Sequence, residues 1–115
     1  MNAQEFVDAI KQQAGENSIS AVRKLLERPP GRSPKETLKI LSKWYNESAD
    51  DQKAKILEVV KQAVDMSVFS LLCVLDGVSS IENDFEKGQL LLFYEKNGQR
   101  VLLNDTKSEL LHDLL

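Results

Sequence analysis

The chain has 115 residues, the size of one ordinary domain. Its 42% apolar and 29% charged residues exclude fibrous and disordered classes. Fifteen Lys and Arg against eighteen Asp and Glu give a net charge of −3, and no stretch concentrates the basic residues, which argues against a nucleic-acid partner. The longest apolar-rich run, residues 68–75, falls far short of the ~20 residues of a spanning helix. Residues 1–6 lack the basic-then-apolar pattern of a signal peptide. No membrane partner and a cytoplasmic location are therefore expected.

Residues 3–14 read as a first helix, with Phe6, Val7 and Ile10 on an apolar stripe that ends at Gly15. Asn17 and Ser18 then cap a second helix carrying Ile19, Val22, Leu25 and Leu26 up to Arg28, where Pro29-Pro30-Gly31 breaks it. Ser33-Pro34-Lys35-Glu36 has the form of a capping box with proline at the first helical position. The third helix it opens places Leu38, Leu41, Trp44 and Tyr45 on one side and stops near residues 46–48. Trp44 continues the core stripe, and Tyr45, one position round, is the residue expected at the surface.

Asp50 and Asp51 open a fourth helix, accepting from its free N–H groups and opposing its dipole. It runs from about Asp51 to Asp76, amphipathic at first and apolar on nearly every side from Val68 onward, with Gly77 at the position of a left-handed cap. Periodicity also allows a break at residues 65–67. After a loop over 79–87 the period falls to two. Residues 89–96 and 99–104 flank Asn97-Gly98, a two-residue turn signal that pairs Glu95 with Arg100, Tyr94 with Val101 and Phe93 with Leu102.

That register makes both hairpin faces apolar. Leu90, Leu92, Tyr94, Val101 and Leu103 lie on one face, and Leu91, Phe93 and Leu102 on the other. Helices can cover only one of them. The second must be covered by the C-terminal leucines, by a further strand over 78–81, or by a second copy of the chain.

Candidate chemistry is sparse. His112 is the only histidine, with no metal-ligand spacing around it, and its pairing with Asp113 between leucines suggests an outward-facing residue. Cys73, the only cysteine, sits among Leu71, Leu72, Val74 and Leu75 as a small buried hydrophobe rather than a nucleophile. Asp65 and Asp76 share a helical face with positions 69 and 72. They border apolar surface where a carboxyl can work as acid or base, although Asp65 can equally pair with Lys61 and Asp76 can bond amides near Gly77. Asp105 or Thr106 is placed to cap the last helix. No nucleotide-binding glycine motif occurs, and no cofactor or metal is expected.

The expected fold is α+β in a single domain 1–115. It has about four helices within 1–77, with the fourth long and central, a hairpin over 89–104 and a short terminal helix over 106–115. The expected function is a small, acidic, non-enzymatic protein-interaction domain (inhibitor, immunity-like or regulatory adaptor) whose partner is another protein of basic character. Its profile is similar to that of bacterial immunity and adaptor proteins. The alternatives are a small enzyme or ligand-binding domain with a carboxylate and histidine pocket between helices and hairpin, and a homodimeric module joined through the hairpin. Tyr45, Asp65, Asp76, Asp105 and His112 are the candidate binding residues.

Overall fold

The computed structural model describes all residues, 1–115. Helix α1 runs unbroken over 3–27. It is α-helical at Ala3–Ile10, π-helical at Lys11–Glu16 and α-helical again at Asn17–Glu27. Helix α2 is Glu36–Glu47 and α3 is Asp50–Leu75; strands β1 (Phe93–Lys96) and β2 (Gln99–Leu102) follow, then a single 3-10 turn at Leu111–Leu114. The α+β class holds, with three helices rather than four. No helix is long and apolar enough to cross a membrane.

The expected break at Gly15 is replaced by the π segment, and the apolar stripe explains why. In an unbroken α-helix, Ile19 and Leu26 would sit about 120° and 100° round from Val7. One inserted residue turns the second half back by about 100°, which brings Val7, Ile19 and Leu26 to within about 20° of one another. Gly15, buried inside this segment, keeps helical geometry instead of terminating it. The fourth expected helix is one continuous element, α3, and it ends in a Schellman arrangement. Gly77 has φ +76°, its N–H donates to Val74 O and that of Val78 donates to Cys73 O.

None of the four expected side-chain caps is formed; Asn17 and Ser18 lie inside the continuous α1, and neither Asp105 nor Thr106 caps the C-terminal turn. Helix α2 starts after Pro34, with Lys35 at the cap position, and its first bond is Lys39 N–H to Lys35 O; no side chain caps it. In α3 neither aspartate accepts a capping bond. Instead Gln52 Oε1 accepts from the Ala49 N–H at 3.4 Å, while Asp50 and Asp51 oppose the dipole from the first turn.

The hydrophobic centre is small. Val7, Val68, Leu72 and Leu111 form it, with Phe6, Ile10, Val64 and Leu114 against its rim. The C-terminal 3-10 turn therefore packs between the start of α1 and the second half of α3, not over the hairpin. The terminal helix expected over 106–115 shrinks to this turn because Asp76 holds its first amides, as described below. The hairpin has the expected register, Phe93 with Leu102 through Lys96 with Gln99, and both turn residues adopt positive φ (Asn97 54°, Gly98 75°). Its regular strands are shorter than expected because Asn104 replaces the next ladder bond with its own side chain.

Candidate functional site

Four of the five candidate residues, Asp65, Asp76, Asp105 and His112, are held by side-chain hydrogen bonds within the chain. Asp76, at the end of α3, is buried with its side chain 2% exposed. Its Oδ1 accepts from the Leu111 N–H at 2.9 Å, and its Oδ2 accepts from the His112 N–H at 2.9 Å and meets His112 Nδ1 at 2.6 Å. Both oxygens thus hold the C-terminal turn against α3, across 35 residues of sequence. His112 is not the outward-facing residue expected. Its side chain is only 15% exposed, wedged edge-on against the Phe69 ring at a 5.6 Å centroid distance, with Nε2 3.4 Å from Asp113 Oδ1. The clamp draws the imidazole inward.

A carboxylate that orients a histidine through Nδ1 is also the arrangement of a catalytic base. Here Nε2 faces Asp113, and no serine or cysteine lies within bonding distance of it. The sole thiol, Cys73, is buried elsewhere on α3. No group of three or more His, Cys, Asp or Glu side chains is placed to hold a metal ion.

Asp65 and Asp76 do not share a groove. Asp65 Oδ2 pairs with Lys61 Nζ at 2.6 Å on the exposed side of α3, beside a cleft of about 380 Å³ whose other wall is the π segment. The carboxylate holds the Lys61 ammonium above its ordinary 10.5, through its hydrogen bond first and its charge second. Asp105 closes a turn. Its Oδ1 accepts from the Lys107 N–H at 3.0 Å and its carbonyl from the Ser108 N–H.

The expected roles of Trp44 and Tyr45 are exchanged. Tyr45 is 4% exposed, with Lys53 Nζ 5.6 Å above its ring, whereas Trp44 is 54% exposed. Helix α2 turns its Leu38, Ser42 and Tyr45 face toward α1. The small Ser42 lets Asn46 reach across, where its Nδ2 donates to Glu27 O at 3.1 Å and to Ser42 Oγ at 3.2 Å. Those polar bonds fix the rotation of α2. They leave Ile40, Leu41 and Trp44, at i, i+1 and i+4, as an uncovered apolar stripe.

Asn104 is the residue that sequence reasoning passed over as a simple turn. Its Nδ2 donates to Leu75 O at 2.6 Å and to Leu90 O at 2.8 Å, while its Oδ1 accepts from the Leu92 N–H at 2.8 Å. One buried amide therefore pins the base of the hairpin to the end of α3. Beside it opens a cleft of about 410 Å³ between residues 76–82 and 87–90, with Asp76, Asn104 and Thr106 on its wall. His112 does not line that cleft. Neither the family models, nor the curated proteins, nor the solved structures contain a match to this chain.

Proposed function

We propose that the protein acts by binding another protein, as an inhibitor, immunity-like or regulatory adaptor domain, with the α2 stripe as its contact surface. The observation that carries this reading is Trp44. The only tryptophan of the chain is 54% exposed beside Ile40 at 60% and Leu41 at 40%, on a face that no other element covers. Large aromatics concentrate binding energy when a partner buries them. The net charge of −3 favours a basic partner through steering, and the single buried cysteine suits a reducing, cytoplasmic setting.

The test compares wild-type and Trp44→Ala chains as bait in a lysate of the native cells, washed at about 50 and about 500 mM salt. A polypeptide retained by wild type, lost with Trp44→Ala and weakened by salt is the expected result. Equal retention by both baits refutes the stripe as the contact surface, and salt-independent retention refutes a basic partner.

A second reading, favoured by the 2.6 Å Asp76–His112 contact, is a small enzyme or ligand-binding domain. It requires His112 Nε2 to reach a bound molecule. The pair's three bonds to the C-terminal turn support a structural role instead.

A further inference from the structure

We infer that the loop over residues 82–88 is a second contact arm, whose Phe85 ring enters an apolar pocket rimmed by lysine or arginine on the partner protein. The inference rests on the reading of the chain as a domain that binds a basic partner, and it adds where that basic character lands.

Residues 76–92 join α3 to the hairpin, and the strand expected over 78–81 is not formed there. A tied loop takes its place. Ser80 Oγ donates to the Glu82 carbonyl and accepts from the Glu82 N–H at 3.3 Å, which fixes the backbone at the entry to the loop. Glu82 Oε2 accepts from the Gly88 N–H at 2.7 Å, closing the two ends of the loop on each other. Phe85 stands at the apex, three residues from either end, and is fully exposed.

That placement opposes the hydrophobic effect, since phenylalanine is among the residues most often buried. An apolar refuge lies beside the loop. It is the cleft of about 410 Å³ with Val78, Ile81 and Leu90 on its wall, and Phe85 does not line it. The Glu82–Gly88 tie holds the apex out. A ring presented on a tied loop has less freedom to lose when it is bound, which is the advantage of preorganisation. An aromatic side chain seated in a partner's pocket is also the commonest anchor of an interface.

The charges around the ring define the pocket that fits it. Asp84 and Glu86 flank Phe85 in sequence, and neither belongs to an ion pair within the chain. With Glu82 they give the loop three carboxylates against Lys87, a net charge of −2. A neutral pocket would desolvate both flanking carboxylates without pairing them, and an acidic one would repel them. A basic rim pairs them and steers the encounter.

The test is NMR on the full chain with a defined probe. The probe is a peptide built only of leucine and lysine, an amphipathic helix whose apolar stripe is rimmed by ammonium groups; its control carries glutamate in place of lysine. The leucine–lysine peptide should shift the Asn83 to Lys87 amides and the Phe85 ring, more at about 50 than at about 500 mM salt. The control should not. Phe85→Ser should weaken this binding by about 10- to 100-fold, on the scale of burying one phenylalanine. Its urea midpoint should match wild type, because nothing in the chain covers the ring. Trp44→Ala should leave the response of the loop intact. Shifts confined to α2 and lost with Trp44→Ala overturn the arm and keep the α2 reading, whereas no shift at either surface overturns both. An equal response to the two peptides, or undiminished binding by Phe85→Ser, refutes the basic-rimmed pocket. Shifts of the same amides with protein concentration alone would assign the loop to a second copy and overturn the proposal.

Discussion

Replacing Asp76 by Asn keeps the shape of the side chain and removes one of its two acceptors. The remaining oxygen can serve His112 or Leu111, and the new amide N–H then confronts a backbone N–H in a site where the carboxylate is 2% exposed. Leaving one buried donor unpaired costs ~1–3 kcal/mol, and losing the charge from the surviving bonds adds about 1 kcal/mol. The expected loss is therefore ~2–4 kcal/mol, a large part of the ~5–15 kcal/mol that holds a domain together. With a urea slope of about 1.5 kcal/mol/M, the unfolding midpoint should fall by ~2 M. Exchange at the Leu111 and His112 amides should accelerate first, because the clamp is what orders that turn. A midpoint change below ~0.5 M with unchanged protection at both amides would show that Asp76 does not hold the C-terminus in place.

Two further outcomes follow from the polar contacts. Asn104→Ala removes three bonds at once and strands Leu75 O, Leu90 O and the Leu92 N–H; a stability loss of ~2–4 kcal/mol is expected. Fast exchange at Leu92, with the Trp44 environment unchanged, should accompany it, and an unaltered Leu92 amide would contradict the pin. The Lys61 ammonium is held above 10.5, so its pair with Asp65 contributes fully below that pH and fades as pH rises through the raised value. Asp65→Asn should return Lys61 to near 10.5 in an NMR titration, and an unmoved titration would refute the pairing.

Local signals in the sequence specify the hairpin closely. Asn97-Gly98 accepts positive φ at both positions and fixes the register, and Gly77 likewise specifies the end of α3. Two features depend on distant parts of the chain and are not readable from local periodicity. The π segment arises because α1 must align Val7 with Leu26 on one face, a demand set by α3 and α2 rather than by Gly15. The inversion of Trp44 and Tyr45 follows from Asn46 bonding the end of α1, 19 residues away, which rotates α2 against its own apolar stripe. The same holds for the candidate site. Asp65 with Lys61 is an i, i+4 pair legible from spacing, whereas the Asp76–His112 contact joins residues 36 apart.

The choice between binding and chemistry turns on one comparison of three baits in the same lysate: wild type, Trp44→Ala and His112→Gln, each first shown to be folded by circular dichroism. A polypeptide held by wild type and His112→Gln but lost by Trp44→Ala is the result expected of a protein that works through its uncovered α2 face. Retention by Trp44→Ala together with loss by His112→Gln would contradict it, and would move the function to the Asp76–His112 pair.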